Sequence, residues 1–371
     1  MTAVGTQTSM KVPLSDIYLD DGAIQVVSRV LSSKRYILGE ETSSFEREFA
    51  QKLGARHAIA VSSGTSALHL AFIASDLGEG DEVIVPSFSF VATASPLVHL
   101  GVRPVFCDVD PDTLTLDPND LRRKITNRTK AVVPVHLFGH PAAMDEITEI
   151  ADQKSLKIIE DSAQAHGSML GGKFVGSFGI VSCYSFYPSK NMTVYGDGGM
   201  VTTNDSAFAD EVRMLRNHGR SEKYVHQSFG YNFRMSEIAA ALGRYQLSKL
   251  DSFNKARREA ARFYDDELRS YLETPTETRN ARHVYHMYVV RTQRRDQLKA
   301  FLAQNGVQTG IHYPIPIHLQ PAFTSLARSD KLPVTEESCE TVLSLPIYPT
   351  ISRDQLNYIS HQTKTFLQSN S

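Results

Sequence analysis

Leu156-Lys-Ile-Ile-Glu-Asp-Ser-Ala-Gln-Ala-His-Gly167 is a short apolar run that stops on two carboxylates, Glu160 and Asp161. Consecutive apolar residues, without alternation, suit a strand whose two faces are both covered by helices, as in a parallel sheet. In an open α/β sheet ligands bind at the carboxyl ends of the strands, so these acids stand where chemistry is done. Working outward, β-rich runs recur at 57–63, 82–87, 103–109, 130–136, 181–186 and 199–204, and stretches with helical spacing, such as 66–77 and 142–153, fall between them. Seven strands alternating with helices predict an α/β fold with one large, mostly parallel sheet covered by helices.

The pattern changes after Gly230. Residues 236–255 are rich in Ala and Leu and run into a charged helical stretch at 255–272, which predicts a long helix or helix pair bridging two units. Beyond the turn-rich Glu273-Thr-Pro-Thr-Glu-Thr278, the sequence predicts a strand at 284–291, a helix at 296–305, a second strand at 308–313, a Pro-rich loop to Pro321 and two more helices. This reads as a large α/β domain over 1–250 and a small α+β domain over 251–371, the bridging helix included.

The 371 residues, 41% of them hydrophobic, suffice for one large core or two unequal ones. Lys and Arg number 39 against 41 Asp and Glu, a balance that offers no electrostatic footprint for nucleic acid or an anionic membrane. No apolar run approaches the ~18 residues of a membrane span, and the polar start Met1-Thr-Ala-Val-Gly-Thr-Gln-Thr-Ser-Met-Lys11 lacks a signal-peptide pattern, so a cytoplasmic protein is expected. Cys107, Cys183 and Cys339 are widely separated, which predicts reduced thiols and no metal site.

Three segments carry candidate chemistry. Val61-Ser-Ser-Gly-Thr-Ser-Ala67 closes a predicted strand and opens a helix, where free backbone N–H groups can bind a phosphate; alone it also fits an ordinary capped helix. Asp161 ends its strand, and alone fits a solvated acid. In Ser182-Cys-Tyr-Ser-Phe-Tyr-Pro-Ser-Lys-Asn191, followed by Tyr195-Gly-Asp-Gly-Gly-Met200, Lys190 follows a β-rich run and is set for partial desolvation and a more nucleophilic amine; alone it fits a solvated lysine. Together with the aromatics of Pro86-Ser-Phe-Ser-Phe90, the three match what pyridoxal 5′-phosphate requires: a Schiff-base lysine, an acid for the ring nitrogen, a phosphate cradle and a stacking ring.

The chain resembles the DegT/StrS family of pyridoxal-phosphate-dependent sugar aminotransferases, on the aspartate-aminotransferase fold (fold type I). The likeness runs from Val12-Pro-Leu14 to Leu343-Ser-Leu-Pro-Ile347 through Tyr36-Ile-Leu-Gly39, Ser63-Gly-Thr65, Val135-His-Leu-Phe-Gly139, Glu160-Asp-Ser-Ala-Gln-Ala-His-Gly167, Ser185-Phe-Tyr-Pro-Ser-Lys-Asn191, Gly230-Tyr-Asn-Phe-Arg-Met235 and His312-Tyr-Pro314. The resemblance implies that Lys190 forms the Schiff base and moves the proton, that Asp161 pairs with the pyridine nitrogen and that Gln164 lies near the phenolic oxygen. It further implies that Gly64, Thr65, Ser66 and Ser185 hold the phosphate, that Phe90 stacks on the ring, and that Asn232 reaches the phosphate of a partner subunit, which puts the active site at a homodimer interface. Some relatives carry histidine where Lys190 stands and deoxygenate instead, so the lysine implies transamination.

The reaction so implied is a ping-pong transfer from L-glutamate, through pyridoxamine phosphate, to a nucleotide-linked keto-sugar. Tyr187, Lys223, His312 and Tyr313 resemble residues that line the sugar pocket of members acting at carbon 3, which points to a dTDP-linked 3-keto-6-deoxyhexose. Amination at carbon 4 or of a keto-cyclitol is the alternative, and a non-catalytic regulator the remote one. The sequence departs from many relatives at Ser66, where Asp or Ala is common, and at Met192-Thr-Val-Tyr195.

Overall fold

The structure, a computed structural model, describes residues 10–326 and 331–369. Most of the polar start on which the expected localisation rests, residues 1–9, lies outside them. Seven strands form the main sheet: β1 (His57–Val61), β2 (Glu82–Pro86), β3 (Arg103–Cys107), β4 (Thr129–Val132), β5 (Lys157–Asp161), β6 (Val181–Ser185) and β7 (Gly199–Thr203), in the spatial order β1-β7-β6-β5-β4-β2-β3. Each lies within a residue or two of its expected place except β4, which ends at Val132 and not at 136. The sheet is parallel except at β7, which runs against both β1 and β6. A parallel neighbour needs a crossover, usually helical, that carries the chain back along the sheet. Residues 186–198 contain no helix, so β7 returns beside β6 in the opposite sense.

The face alternation of β5 organises both cores. Ile159 packs with Val83, Val85 and Val201 under Leu68 and Phe72 of the helix Gly64–Ala74. Ile158 packs on the other face with Ile84, Val105 and Val132 under Ile147 and Ile150 of the helix Met144–Lys154. Side chains two apart share a face, so Glu160 goes with Ile158 and Asp161 with Ile159.

Two N-terminal helices, Asp21–Ser33 and Glu40–Leu53, pack against the helix Glu237–Leu247. The helix Glu40–Leu53 begins at Gly39, which has no side chain to cap it. Glu237, 2% exposed, does so from across the fold. Its carboxylate accepts N–H groups from Gly39 (2.8 Å), Glu41 (2.9 Å) and Thr42 (3.0 Å), together with the Thr42 hydroxyl. Desolvation pushes the Glu237 pKa up, but these donors outweigh it and hold the group below the usual carboxylate range. Glu237→Ala strands three N–H groups and should destabilise the protein by about 3 kcal/mol or more, measured by denaturant unfolding at pH 7. Because the folded pKa is depressed, the difference from wild type is full above the unfolded pKa of about 4.3 and shrinks as pH falls through the folded value.

The expected bridging helix is a pair, Glu237–Leu247 and Leu250–Leu268, broken at Ser248 and Lys249. A second core follows, with Tyr264, Leu268, Tyr288, Leu298, Leu302, Leu345 and Ile359 at its centre. Val12 is buried in it and bridges to Val307, so the start of the described chain joins its C-terminal part. One expected strand is corrected here. Residues 308–313 form no ladder: the partner of Tyr288–Arg291 is Val342–Leu345, in a stretch read as part of the closing helices. Residues 308–313 lie along the far edge of Val342–Leu345, where Gly310 makes a single bridge to Ser344 before Pro314 stops further pairing.

Candidate active site

Asp161 is the last residue of β5, and its backbone is fixed along one edge by Asp161 N–H to Pro134 O (2.9 Å) and His136 N–H to Asp161 O (3.1 Å). Its carboxylate, 5% exposed, accepts the Thr93 hydroxyl (2.8 Å) on one oxygen and the Ala163 N–H (3.1 Å) on the other. Ser89 holds Thr93 in turn, at 2.9 Å. Burial pushes the Asp161 pKa up, and Thr93, Ala163 and nearby Lys190 only partly pull it back.

Glu160 faces the other way and does different work. It accepts N–H groups from Gly176 (2.6 Å), Phe178 (2.8 Å) and Gly179 (2.7 Å) and meets His136 Nε2 at 3.0 Å. His136 Nδ1 accepts the Ala142 N–H, so its proton sits on Nε2 and is donated to Glu160. Of the two adjacent acids, one ties down a turn and the other faces the site.

Lys190 lies in the loop between β6 and β7, which Asn191 pins by donating to Asn254 Oδ1 (2.8 Å) and Val284 O (2.9 Å). Desolvation pulls the Lys190 pKa down to about 8, with Asp161 opposing, although part of the side chain remains accessible. Gln164 accepts the Phe138 N–H at 2.7 Å and donates to the Tyr313 hydroxyl at 3.1 Å. The Tyr313 ring lies 6.0 Å from that of Phe90, which is 55% exposed and so has a free face. Burial also raises the Tyr313 hydroxyl pKa, keeping it neutral. His312 is fixed by Ser344 Oγ at 2.9 Å.

At the helix Gly64–Ala74, Ser63 caps the Ser66 N–H at 3.0 Å and Ala67 N–H reaches Ser63 O at 3.0 Å. The Ser66 hydroxyl donates to Ser63 O at 2.8 Å and accepts the Ser63 N–H at 2.8 Å. Ser66 thus completes a capping box, which leaves Gly64 and Thr65 to offer the helix-start N–H groups. Gly64 is required for contact: a Cβ there would lie 2.7 Å from the Ser185 Cβ, so its absence brings Ser185 to the helix start.

Gln164, Tyr313 and Phe90 are thereby joined through contacts, and Thr93, whose N–H donates to Phe90 O at 3.0 Å, links them to Asp161, with Lys190 close enough to Asp161 for their charges to interact. Tyr187 is 55% exposed and accepts the Lys190 N–H on its carbonyl. Two expected residues stand apart among the described contacts. Lys223 is exposed on the hairpin of Arg220–Glu222 with Val225–His226, its amine 5.2 Å from the Tyr224 ring centroid. Asn232 is exposed and bonded to Arg234. The sequence reading gave no role to Thr93, Asn191 or the buried histidines His166 and His286, although Asn191 and His166 stand inside the quoted motifs and Thr93 follows Phe90 by three residues.

Desolvation pulls His166 down to about 3 and His312 to about 4, and holds His283 and His286 well below the usual imidazole value. The unfolded chain takes up these protons from about pH 6.5 downward while the native state refuses them. Stability is therefore full above about pH 6.5 and is lost as pH falls toward 4 and 3. Urea midpoints from pH 7 to pH 4 should fall steadily, and His166→Phe should flatten the slope.

A buried carboxylate with lone pairs left on both oxygens, facing a desolvated amine, fits a protonated pyridine nitrogen and an aldehyde. Phe90 has an open face for a ring, and the helix start offers N–H groups for a phosphate. The residues present therefore fit pyridoxal phosphate.

The profile of the DegT/DnrJ/EryC1/StrS aminotransferase family matches residues 18–364. The chain is 39% identical, over 96% of its length and 99% of the relative's, to a protein of Geobacillus stearothermophilus named "Pleiotropic regulatory protein". It is 43% identical, over 89% of its length and 88% of the relative's, to the dTDP-3-amino-3,4,6-trideoxy-alpha-D-glucose transaminase of Streptomyces venezuelae. The crystal structure of S. venezuelae DesV in complex with a ketimine intermediate superposes with a TM-score of 0.94 at 40% identity, covering 96% of this chain and 99% of that one. Solved relatives carry pyridoxal or pyridoxamine phosphate. The chain belongs to the DegT/DnrJ/EryC1/StrS aminotransferase family and is a pyridoxal-phosphate-dependent sugar aminotransferase.

Proposed function

We propose that this enzyme transfers the amino group of L-glutamate to the 3-keto carbon of a dTDP-linked 6-deoxyhexose, in two half-reactions that use one site in turn. The observation that carries the reading is the meeting of a buried carboxylate, Asp161, with a desolvated lysine, Lys190. Pyridoxal phosphate, when bound, supplies an aldehyde that exchanges amines and a ring that withdraws electrons. Asp161 keeps a proton on the pyridine nitrogen. Lys190, with its pKa near 8, has free base available at neutral pH and moves a proton between substrate carbon and cofactor carbon. Gly64, Thr65 and Ser185 bind the phosphate, Gln164 with Tyr313 fixes the phenolic edge, and Phe90 covers the ring. The name of the Streptomyces venezuelae relative supports the nucleotide and the carbon.

The sugar side is assigned to Tyr187, His312, Tyr313 and Lys223. Lys223 stands on an exposed hairpin with Tyr224 81% and Phe229 100% exposed, a surface that suits a second copy of the chain. A homodimer then brings Asn232 of each copy to the other's phosphate. The boundary near residue 250 divides its large and small domains, with Val12 packed into the core of the small one.

The test is absorbance. Adding L-glutamate to the holoenzyme should shift a band near about 415 nm to near about 330 nm, and a dTDP-linked 3-keto-6-deoxyhexose should restore it. No shift with glutamate removes that donor, and restoration only by a 4-keto sugar or an inosose removes the carbon-3 assignment.

A further inference from the structure

Residues 231–234 form an extended strap between two parts of the fold. On one edge Tyr231 N–H donates to Leu215 O (2.7 Å) and Phe233 N–H to Arg216 O (3.0 Å). On the other, Ser62 N–H donates to Phe233 O (2.8 Å) and Arg234 bridges to Val61, immediately before the helix start that holds the phosphate N–H groups. Tyr231 and Phe233 stack at 4.9 Å and meet the His69 ring at 4.9 and 6.1 Å. Extended backbone alternates its side chains, so Asn232 and Arg234 share the other side. There Arg234 Nε donates to Asn232 Oδ1 at 2.9 Å, and Nη1 reaches Asn217 Oδ1 at 3.4 Å.

We propose that Arg234 is a positioning residue that orients the side-chain amide of Asn232, so that its NH2 group faces outward toward an anion. This rests on the reading that Asn232 serves the cofactor phosphate of a second copy. A guanidinium has donors and no acceptor, so the amide atom it meets is the oxygen and the nitrogen takes the opposite side. A free carboxamide turns through two nearly equal orientations, and one of them would present an oxygen to the phosphate. Arg234 removes that orientation. Among the described residues no acceptor engages the Asn232 NH2, which leaves both of its hydrogens available.

The experiment measures the dissociation constant of pyridoxal phosphate from the holoenzyme by equilibrium dialysis, with the unfolding temperature of each apo variant as a check on the fold. Asn232→Ala should weaken binding about tenfold, as loss of a hydrogen bond to a charged group does. Arg234→Leu should weaken it nearly as much, and the double variant no more than Asn232→Ala alone. Arg234→Gln, neutral but still a donor, should recover most of the affinity. Arg234→Met repeats the cycle if Arg234→Leu does not fold. Additive losses in the double variant, unchanged affinity in Arg234→Leu, or Arg234→Gln as weak as Arg234→Leu would each overturn the positioning role. Unchanged affinity in Asn232→Ala would instead overturn the cross-subunit reading beneath it.

Discussion

Lys190→Ala will fold, bind pyridoxal phosphate and lose turnover by about 10⁴-fold or more, the upper reach of a lost general acid–base group. In the proposed mechanism the amine is both the covalent anchor of the cofactor and the group that moves the proton, so no neighbouring residue replaces it. His166, His286 and His312 are held neutral with pKa values below the usual imidazole value, and they make poor proton acceptors at pH 7. The holo variant should lack the band near about 415 nm. Stability carries a second signature. In the wild-type apoenzyme the native lysine releases its proton near about 8 while the unfolded lysine keeps it to about 10.4, so stability rises across that window. The variant should lack this rise in its melting temperature. Wild-type turnover in Lys190→Ala would end the mechanism.

Asp161→Asn separates activity from stability. The amide keeps the shape, accepts the Ala163 N–H on its oxygen and donates to Thr93, so the cofactor still binds. Without a carboxylate the pyridine nitrogen loses its proton, and turnover should fall roughly 10³-fold, in line with removal of a preorganised electrostatic partner. The apoenzyme should respond in the opposite direction. Burial raises the Asp161 pKa, so the native state bears an ionised carboxylate at a cost once pH passes the unfolded value near 3.9. Removing that charge should raise the apo melting temperature at pH 7 while activity collapses. Unchanged kinetics would remove the role assigned to Asp161.

The strands of the main sheet were legible because adjacent apolar residues, Val83-Ile-Val85 in β2, Ala131-Val-Val133 at β4 and Ile158-Ile159 in β5, are bounded by polar residues or proline, which fixes place without fixing direction. The sense of β7 was hidden, since it depends on the absence of a helix in the preceding loop. The strand Val342–Leu345 was hidden because a run of four apolar and small residues after a helix reads equally well as its last turn. In the site, Asp161 and Lys190 were readable from chemistry placed at or after strand ends, and Gln164 only through the family resemblance. Thr93 and Ser89 were not, because their approach to Asp161 depends on how the chain turns beyond Phe90. The neutral histidines were unreadable for a similar reason: burial is a property of the assembled layers. Ser66 shows the limit in the other direction, a residue correctly placed at the helix start whose hydroxyl is spent on the cap.

The opposite facing of Glu160 and Asp161 makes β5 intolerant of a change in chain length. A one-residue deletion anywhere between Lys157 and Ile159 would rotate every later side chain to the other face. Asp161 would then take Glu160's place against the N–H groups of Gly176, Phe178 and Gly179, Glu160 would enter the apolar core at Ile159's place, and Ser162 would stand where Asp161 meets Thr93. The site would lose its carboxylate and the core would gain a charge. Asp161→Asn alters one group and leaves the strand in place, whereas deletions and insertions should cluster outside it, in turns such as 171–172 where an added Cβ would meet open space.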